Sequence, residues 1–249
     1  MTSFSPSPPP RVPPAARKGP ELPVHDYEGG FEDMHAGLRP RFRELLLREC
    51  KPGQTVALDV GCGSGRVAFF LASHVKHVVG IDVDAKAIEA ARAKARSIGV
   101  SARAEFVVAD ADKTPYGRFR QDGFDLVATN LAFSEAVVAH AAAALPAGGA
   151  IVFCCMGKDQ FAEIDGAGRF TYAEAQIRDA AARAGLAVET LEREAFRVRF
   201  KSIQEAREAL GPERTSRWLS DGRWDRLASN FAQGKRTLTE SRIVGLLRR

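Results

Sequence analysis

The chain reads as an α/β protein: a doubly wound, mostly parallel seven-stranded sheet, with an antiparallel last strand and a helical insertion near the C-terminus. Three observations predict this. Short β-branched runs alternate with helical stretches from residue 55 to residue 191. That rhythm requires crossover connections, hence parallel strands covered on both faces. The first strand runs into a glycine-rich turn, Gly61-Cys-Gly-Ser-Gly65, where positive φ and close approach to a ligand call for glycine. Polar residues also stand at successive strand ends, Asp59, Asp82, Asp110 and Asn130, the place where open α/β sheets bind ligands. Together these describe a Rossmann-like arrangement.

Each element carries its own signal. Residues 1–24 hold eight of the 13 prolines and no sustained apolar run. They predict a disordered tail, neither a secretory signal nor an amphipathic transit peptide. An amphipathic lead-in helix is expected within 25–52, with Phe31, Met34, Leu38, Phe42, Leu45 and Leu46 at helical spacing. Pro40 splits it or restarts it at a first turn. The core, 53–192, then alternates. Residues 55–60 are a strand and 65–74 a helix; 77–81 are a strand and 85–98 a helix capped by Asp84 and stopped by Gly99. Residues 104–108 are a strand, 114–122 a loop or short helix, 124–128 a strand, 134–145 an alanine-rich helix and 150–155 a strand. The stretch 171–184 reads as a helix opened by Thr171 with Glu174 three residues on, and closed by Gly185. Residues 187–191 form a strand. In the C-terminal part, 193–249, residues 196–201 alternate like a strand or its extension. Residues 203–210 read as a helix stopped by Gly211-Pro212, 214–231 as a helix carrying Trp218 and Trp224, and 237–247 as the last strand. This part is expected to be a basic helical substrate cover plus that strand, so that the folded domain spans 25–249.

At 249 residues with 45% apolar side chains, the chain suffices for one α/β domain with additions. No run of about 18 apolar residues suggests a membrane span. Cys50, Cys62, Cys154 and Cys155 show no metal-ligand spacing, so no metal is expected. Free thiols in a reducing cytoplasm are the simplest reading. His74 and His77 flank the end of the first core helix, where a C-terminal role is simplest. The net charge of +5 is uneven: residues 193–249 carry 14 Lys/Arg against seven acids, +7, and the remainder sums to −2. Such a segment attracts an anionic partner, such as nucleic acid, an acidic carrier or a carboxylate, or it is a solvated face with interleaved charges.

The turn separates two cofactor classes. A dinucleotide fingerprint, G-x-G-x-x-G, would place its third glycine at position 66, where Arg66 stands. The pattern here is G-x-G-x-G behind an acid, Asp59. A dinucleotide presents a pyrophosphate to the helix N-terminus, whereas S-adenosylmethionine presents a cationic amine and a sulfonium, which suit an acid. Asp82 follows Gly61 by 21 residues, about the separation at which a βαβ unit hydrogen-bonds a ribose.

The segment Val56-Ala-Leu-Asp-Val-Gly-Cys-Gly-Ser-Gly-Arg66 resembles motif I of the class I S-adenosylmethionine-dependent methyltransferases. Val79-Gly-Ile-Asp-Val-Asp84, Glu105-Phe-Val-Val-Ala-Asp110, Phe124-Asp-Leu-Val-Ala-Thr-Asn-Leu131 and Leu145-Pro-Ala-Gly-Gly-Ala-Ile-Val-Phe153 resemble the later motifs in order. The resemblance implies S-adenosyl-L-methionine as cofactor. Asp59 and the Gly61 backbone would hold the methionine amine. Gly63 and Gly65 would let the loop, with Cys62, pass close to the ligand. Asp82, with Val83 beside it, would take the ribose hydroxyls, and Asp110, with Ala111, the adenine amine. Asn130 would stand beside the transferred methyl as the catalytic candidate. Plainer roles stay open: Asp59 as a strand-end cap, Asp112 in place of Asp110, and Asn130 as a cap of the next helix. The C-terminal part is loosely similar to malonyl carrier-protein O-methyltransferases and their small-molecule relatives.

The resemblance implies methyl transfer to a small-molecule or carrier-bound acceptor, which can be anionic. The alternatives are an RNA or protein methyltransferase using the basic C-terminal region, and a non-catalytic cofactor-binding subunit. Motif IV, Thr129-Asn-Leu-Ala-Phe133, lacks the prolines of amino-group nucleic-acid methyltransferases. His25, Tyr27 and Glu135 are further candidates near the methyl, and Arg197 and Arg199 for steering an anionic acceptor.

Overall fold

The computed structural model describes residues 23–29, 37–166, 168 and 170–249, with 25–29 as backbone only. Its strands are β1 (Val24–Gly29), β2 (Val56–Val60), β3 (His77–Asp82), β4 (Ala104–Val108), β5 (Leu126–Asn130), β6 (Ala150–Gly157), β7 (Thr171–Tyr172), β8 (Ala187–Arg199) and β9 (Thr237–Arg248). Its helices are α1 (Pro40–Glu49), α2 (Arg66–Ala72), α3 (Ala85–Ser97), α4 (Glu135–Ala144), α5 (Glu174–Arg183), α6 (Ile203–Ser220) and α7 (Arg223–Ala232). Among the described residues these strands form one sheet in the order β1-β8-β9-β6-β5-β2-β3-β4, with β7 paired to β6. β9 runs antiparallel to both β6 and β8, and the other pairs are parallel. The doubly wound sheet with an antiparallel last strand is therefore as expected.

The strand period of two divides the core. Val56, Leu58 and Val60 join Val137, Ala141 and Ile177 of α4 and α5 on one face. Ala57 joins Phe42, Leu45, Val67, Leu71, Ile88 and Ala91 of α1, α2 and α3 on the other. Asp59 lies on the second face beneath α2, where it is fully buried. Among the described residues no helix is long and apolar enough to cross a membrane.

Several elements differ from the sequence expectation. The lead-in region opens with a strand, β1, which begins at Val24 and pairs parallel with β8. The helix itself is only Pro40–Glu49, with proline at the first helical position, where its missing N–H is no loss. Phe31 and Met34, and tail residues 1–22, lie outside the described residues. β8 is a single strand of 13 residues across the expected boundary at 192/193. The charges that break its apolar pattern are each met: Arg41 bonds Glu192 at 2.7 Å, Arg193 bonds Asp159 at 2.6 Å, and the Arg41 N–H donates to Glu194 at 2.9 Å. Thr171 does not cap α5. It belongs to β7 opposite Met156, and its hydroxyl donates to the Gly168 carbonyl at 2.7 Å. The Gln176 side chain instead accepts the Ala173 N–H at 2.9 Å.

The insertion folds on its own small core of Phe161, Phe196, Val198, Phe200, Leu210, Trp218, Leu227 and Leu238. Within α6, Gly211 leaves helical geometry at φ 75° and ψ 165°, as Gly-Pro predicts. The expected helix 214–231 breaks at Gly222, whose φ is 77°, so that Trp218 and Trp224 sit on successive helices.

Candidate donor and acceptor site

The glycine turn leaves β2 with Gly61, Gly63 and Gly65 at φ 68°, 52° and 91°, the left-handed region that favours glycine. A Cβ on Gly61 would stand 2.3 Å from the Ala132 Cβ. The turn after β5 therefore presses on the turn after β2. Leu131 makes this contact possible by adopting φ 70°, with its N–H donating to the Cys154 carbonyl at 2.7 Å. A non-glycine residue held in this region marks a place where the surroundings over-determine the backbone.

Asp82 ties the turn to the end of β3. One carboxylate oxygen accepts the Gly63 N–H at 2.7 Å and the other accepts the Asp84 N–H at 2.9 Å. Asp84 caps α3 as expected, accepting from Lys86 at 2.8 Å and Ala87 at 3.3 Å. At the end of β4, Asp110 accepts the Asp112 N–H at 3.1 Å and pairs with Lys113 at 2.8 Å. Lys113, with that N–H, holds the Asp110 carboxyl below its ordinary range. The rival acid Asp112 accepts the Ser134 hydroxyl at 2.5 Å, and Ser134 in turn caps α4 through the Val137 N–H at 3.1 Å.

These ends surround a cavity of about 320 Å³ lined by Gly61, Asp82, Val83, Asp110, Ala111, Asp112, Leu131, Ala132, Phe133, Ser134, Val137, Phe170 and Tyr172. The volume is that of a small-molecule site. Of the sequence candidates, Gly61, Asp82, Val83, Asp110 and Ala111 meet in this lining. Cys62, Gly63, Gly65 and Asn130 are not among the lining residues. Asn130 ends β5 next to Leu131, which does line the cavity.

Asp59 is placed differently from the expected amine contact. It is fully buried, and its Oδ2 accepts the Ala68 N–H at 2.8 Å in the first turn of α2. Its Oδ1 has no partner. Burial pushes its carboxyl up to about 7, against the Ala68 hydrogen bond and with help from Asp82. Cys62 is buried and its thiol is pushed up by burial. All four cysteines are free, with Cys154 and Cys155 on opposite faces.

Tyr172 and Phe170 are lining residues that sequence reasoning missed. Tyr172 donates its hydroxyl to the Phe133 carbonyl at 2.7 Å and meets the Phe133 ring edge-on, with centroids 5.0 Å apart. The signal was the Thr-Tyr pair ahead of Glu174, absorbed into a helix cap. Glu135 is turned to Arg183 at 2.7 Å. His25 and Tyr27 fall on β1 opposite Glu194 and Phe196 in register. Arg197 and Arg199 are exposed at the end of β8. His74 bonds the Phe70 carbonyl at 2.8 Å at the end of α2.

Residues 57–149 match a family model described as a methyltransferase domain. An uncharacterized methyltransferase of Synechocystis sp. is 38% identical over 104 residues, 41% of this chain and 44% of that protein. The curated relatives are matched over 13% to 44% of their own length, so the chain spans less than half of each. The YcgJ protein of Bacillus subtilis superposes with a TM-score of 0.66 at 15% identity, over 85% of this chain and 99% of that one. A geranyl diphosphate methyltransferase in complex with SAM superposes with a TM-score of 0.53 at 17% identity, over 82% and 83% of the two chains. At these identities the structural likeness shows the fold alone. The family match, the ordered motifs and the sheet topology agree, and the chain carries a methyltransferase domain of the class I, S-adenosylmethionine-dependent family.

Proposed function

We propose that the protein transfers the methyl group of S-adenosylmethionine to a small-molecule or carrier-bound acceptor. The observation that carries this reading is the meeting of Gly61, Asp82 and Asp110, from three different strand ends, in one cavity. The residues fit the donor. Gly61 packs its bare backbone against Ala132, where a Cβ would collide, and both residues line the cavity. Asp82 is a preorganised carboxylate for the ribose hydroxyls, with Val83 beside it. Asp110 and Ala111 take the adenine end. Asp59, fully buried beneath the turn, braces the first turn of α2 through the Ala68 N–H and stays outside the cavity lining. When bound, S-adenosylmethionine supplies a methyl carbon already attached to a good leaving group. The protein's part is to exclude water and to align the acceptor, which can supply several kcal/mol. Asn130 and Leu131 stand on the acceptor side.

Among the described lining residues there is no histidine, lysine or cysteine. Tyr172 is a donor to a carbonyl, and burial raises its pKa. The lining therefore suits an acceptor that arrives as a nucleophile and needs no strong base.

The nucleic-acid alternative draws on the basic C-terminal region, but part of that charge is already engaged in ion pairs and backbone contacts. Arg248 pairs with Glu49 at 2.7 Å and with Glu189 at 2.9 Å, Arg223 with Asp221 at 2.5 Å, and Arg193 with Asp159 at 2.6 Å. Arg249 donates to the Leu145 carbonyl at 2.7 Å. This favours a small acceptor. The test is a labelled-methyl screen of carboxylates, phenols, amines and acyl-carrier thioesters beside total RNA. Label in a small molecule or carrier supports the proposal; label in RNA alone rejects it.

A further inference from the structure

β7 gives the cavity a second side. Asn130, the last residue of β5, lies opposite Cys154, and two residues further along β6, Met156 lies opposite Thr171 of β7. β9 takes the other edge of β6, with Arg242 opposite Met156. β7 therefore continues the line of β5 beyond its end, over the turn 131–133. On this side the lining is Leu131, Phe133, Phe170 and Tyr172. Phe133 is fixed between two rings, 4.8 Å from Phe153 and 5.0 Å from Tyr172 between centroids. Phe170 and Leu131 remain 57% and 46% exposed, apolar surface that gains from contact with a flat apolar ligand.

The side-chain polar atoms of the lining are acceptors. Among the described lining residues, only Ser134 and Tyr172 carry a side-chain proton donor. Ser134 spends its proton on Asp112 at 2.5 Å, and Tyr172 spends its own on the Phe133 carbonyl at 2.7 Å. Burial, then Cys155, Asp112 and Glu135, raise the Tyr172 pKa, so the hydroxyl keeps that proton. Toward a ligand it offers only lone pairs, as do the carboxylates of Asp82, Asp110 and Asp112. A carboxylate or phosphate would find no side-chain proton to accept and would face three acids. An alkyl amine or a phenol, with a pKa of about 10, holds its proton at neutral pH and would need a base. An aromatic amine is uncharged there. It brings a free lone pair, an N–H to donate and a flat ring.

We propose that the methyl acceptor is an uncharged aromatic amine, whose N–H donates to the Tyr172 hydroxyl oxygen and whose ring packs on Phe170 and Leu131. This rests on the methyl-transfer reading above and narrows its substrate class. The nitrogen lone pair forms the new N–C bond as the S–C bond of the sulfonium breaks, and the electron pair of that bond goes to sulfur. The aryl ammonium so formed is acidic enough to release its proton to water.

The experiment is ligand-observed NMR on the full chain saturated with S-adenosylhomocysteine. The ligands are aniline and para-toluidine, beside N,N-dimethylaniline, benzoate and cyclohexylamine. Both primary aromatic amines bind. N,N-dimethylaniline, which lacks an N–H, binds about threefold or more weakly, the loss expected for one hydrogen bond. Benzoate and cyclohexylamine do not bind. Tyr172→Phe keeps the ring and removes the oxygen. It lowers the affinity for aniline to that for N,N-dimethylaniline and leaves the latter unchanged, a selective loss that a merely structural effect would not give. Phe170→Ala, at an exposed position, weakens all three aromatic amines about threefold or more; it serves as the second variant should a circular dichroism melt show Tyr172→Phe unfolded. Preference for benzoate over aniline, no binding of either primary amine, or an unchanged aniline affinity or equal loss of aniline and N,N-dimethylaniline in Tyr172→Phe each overturns the proposal. Calorimetry with S-adenosylhomocysteine separates the two readings. If S-adenosylhomocysteine binds and neither primary amine does, the aromatic-amine proposal falls and the methyl-transfer reading stands. If S-adenosylhomocysteine does not bind, both fall.

Discussion

The two oxygens of Asp82 hold the N–H groups of Gly63 and Asp84, at 2.7 and 2.9 Å, so that one carboxylate fixes both the glycine turn and the entrance to α3. The same carboxylate lines the cavity. A ligand there meets an acid whose orientation is already set.

Asp82→Ala removes that anchor and any charge-assisted bonds to a ligand, each worth about 1.5–3 kcal/mol. Affinity for S-adenosylhomocysteine should fall at least tenfold in calorimetric titration. Asp82→Asn, which keeps the shape and loses the charge, should fall between the two. Unchanged affinity in the alanine variant would remove Asp82 from the donor site.

Gly61→Ala tests the contact between the two turns. The new Cβ would overlap the Ala132 Cβ at 2.3 Å from a left-handed backbone. Overpacking of this kind costs about 1–3 kcal/mol, and the left-handed backbone adds about 1–2 kcal/mol for a residue with a Cβ. Urea denaturation should show the loss, and Ala132→Gly in the same chain should recover the overpacking part. A double variant no more stable than the single one would refute this account of the turn.

Asp59 predicts an unusual pH dependence. Its folded carboxyl is pushed up to about 7, above the value near 3.9 expected in the unfolded chain. Between these limits the folded state binds the extra proton, so stability is greatest below about pH 4, falls as pH rises, and levels off above about 7. For a fully buried group the total is on the order of 4 kcal/mol. Asp59→Asn should flatten this slope in urea denaturation from pH 4 to 8. Identical slopes in the two proteins would contradict the buried, partly unpaired carboxyl.

Glu240→Gln should be severe. It leaves the Arg39 and Arg242 guanidiniums buried without their shared anion, and breaking a buried pair costs about 3–5 kcal/mol. Removing Arg39 as well, as Arg39→Met with Glu240→Gln, should recover part of the loss in thermal melts. A loss below about 1 kcal/mol, the range of exposed pairs, would show that the cluster is solvated.

The core of this fold was legible because its signals are local. Strand runs such as Val56–Val60, the glycine turn and the Asp84 cap depend only on neighbouring residues, and the strand-end acids followed from them. Long-range pairing was not legible. β1 has no apolar alternation of its own and exists because β8 offers it an edge. β8 looked interrupted at Glu192, Arg193 and Glu194 because their partners Arg41 and Asp159 are distant in sequence. Thr171 carried a genuine capping pattern, and pairing with β6 overrode it. At the site, the spacing of glycines and acids marked the donor side. Tyr172 and Phe170 reach the cavity only through the loop after β6, and Arg39 meets Glu240 across 201 residues of sequence. No spacing rule encodes either juxtaposition.

The central claim is that the cavity bounded by Gly61, Asp82 and Asp110 takes a sulfonium nucleoside. Isothermal titration of the purified chain with S-adenosylmethionine, run beside a nicotinamide dinucleotide, tests it most directly. Saturable one-site binding of the first and no heat from the second is the predicted result. Binding of the dinucleotide with no response to S-adenosylmethionine would contradict it.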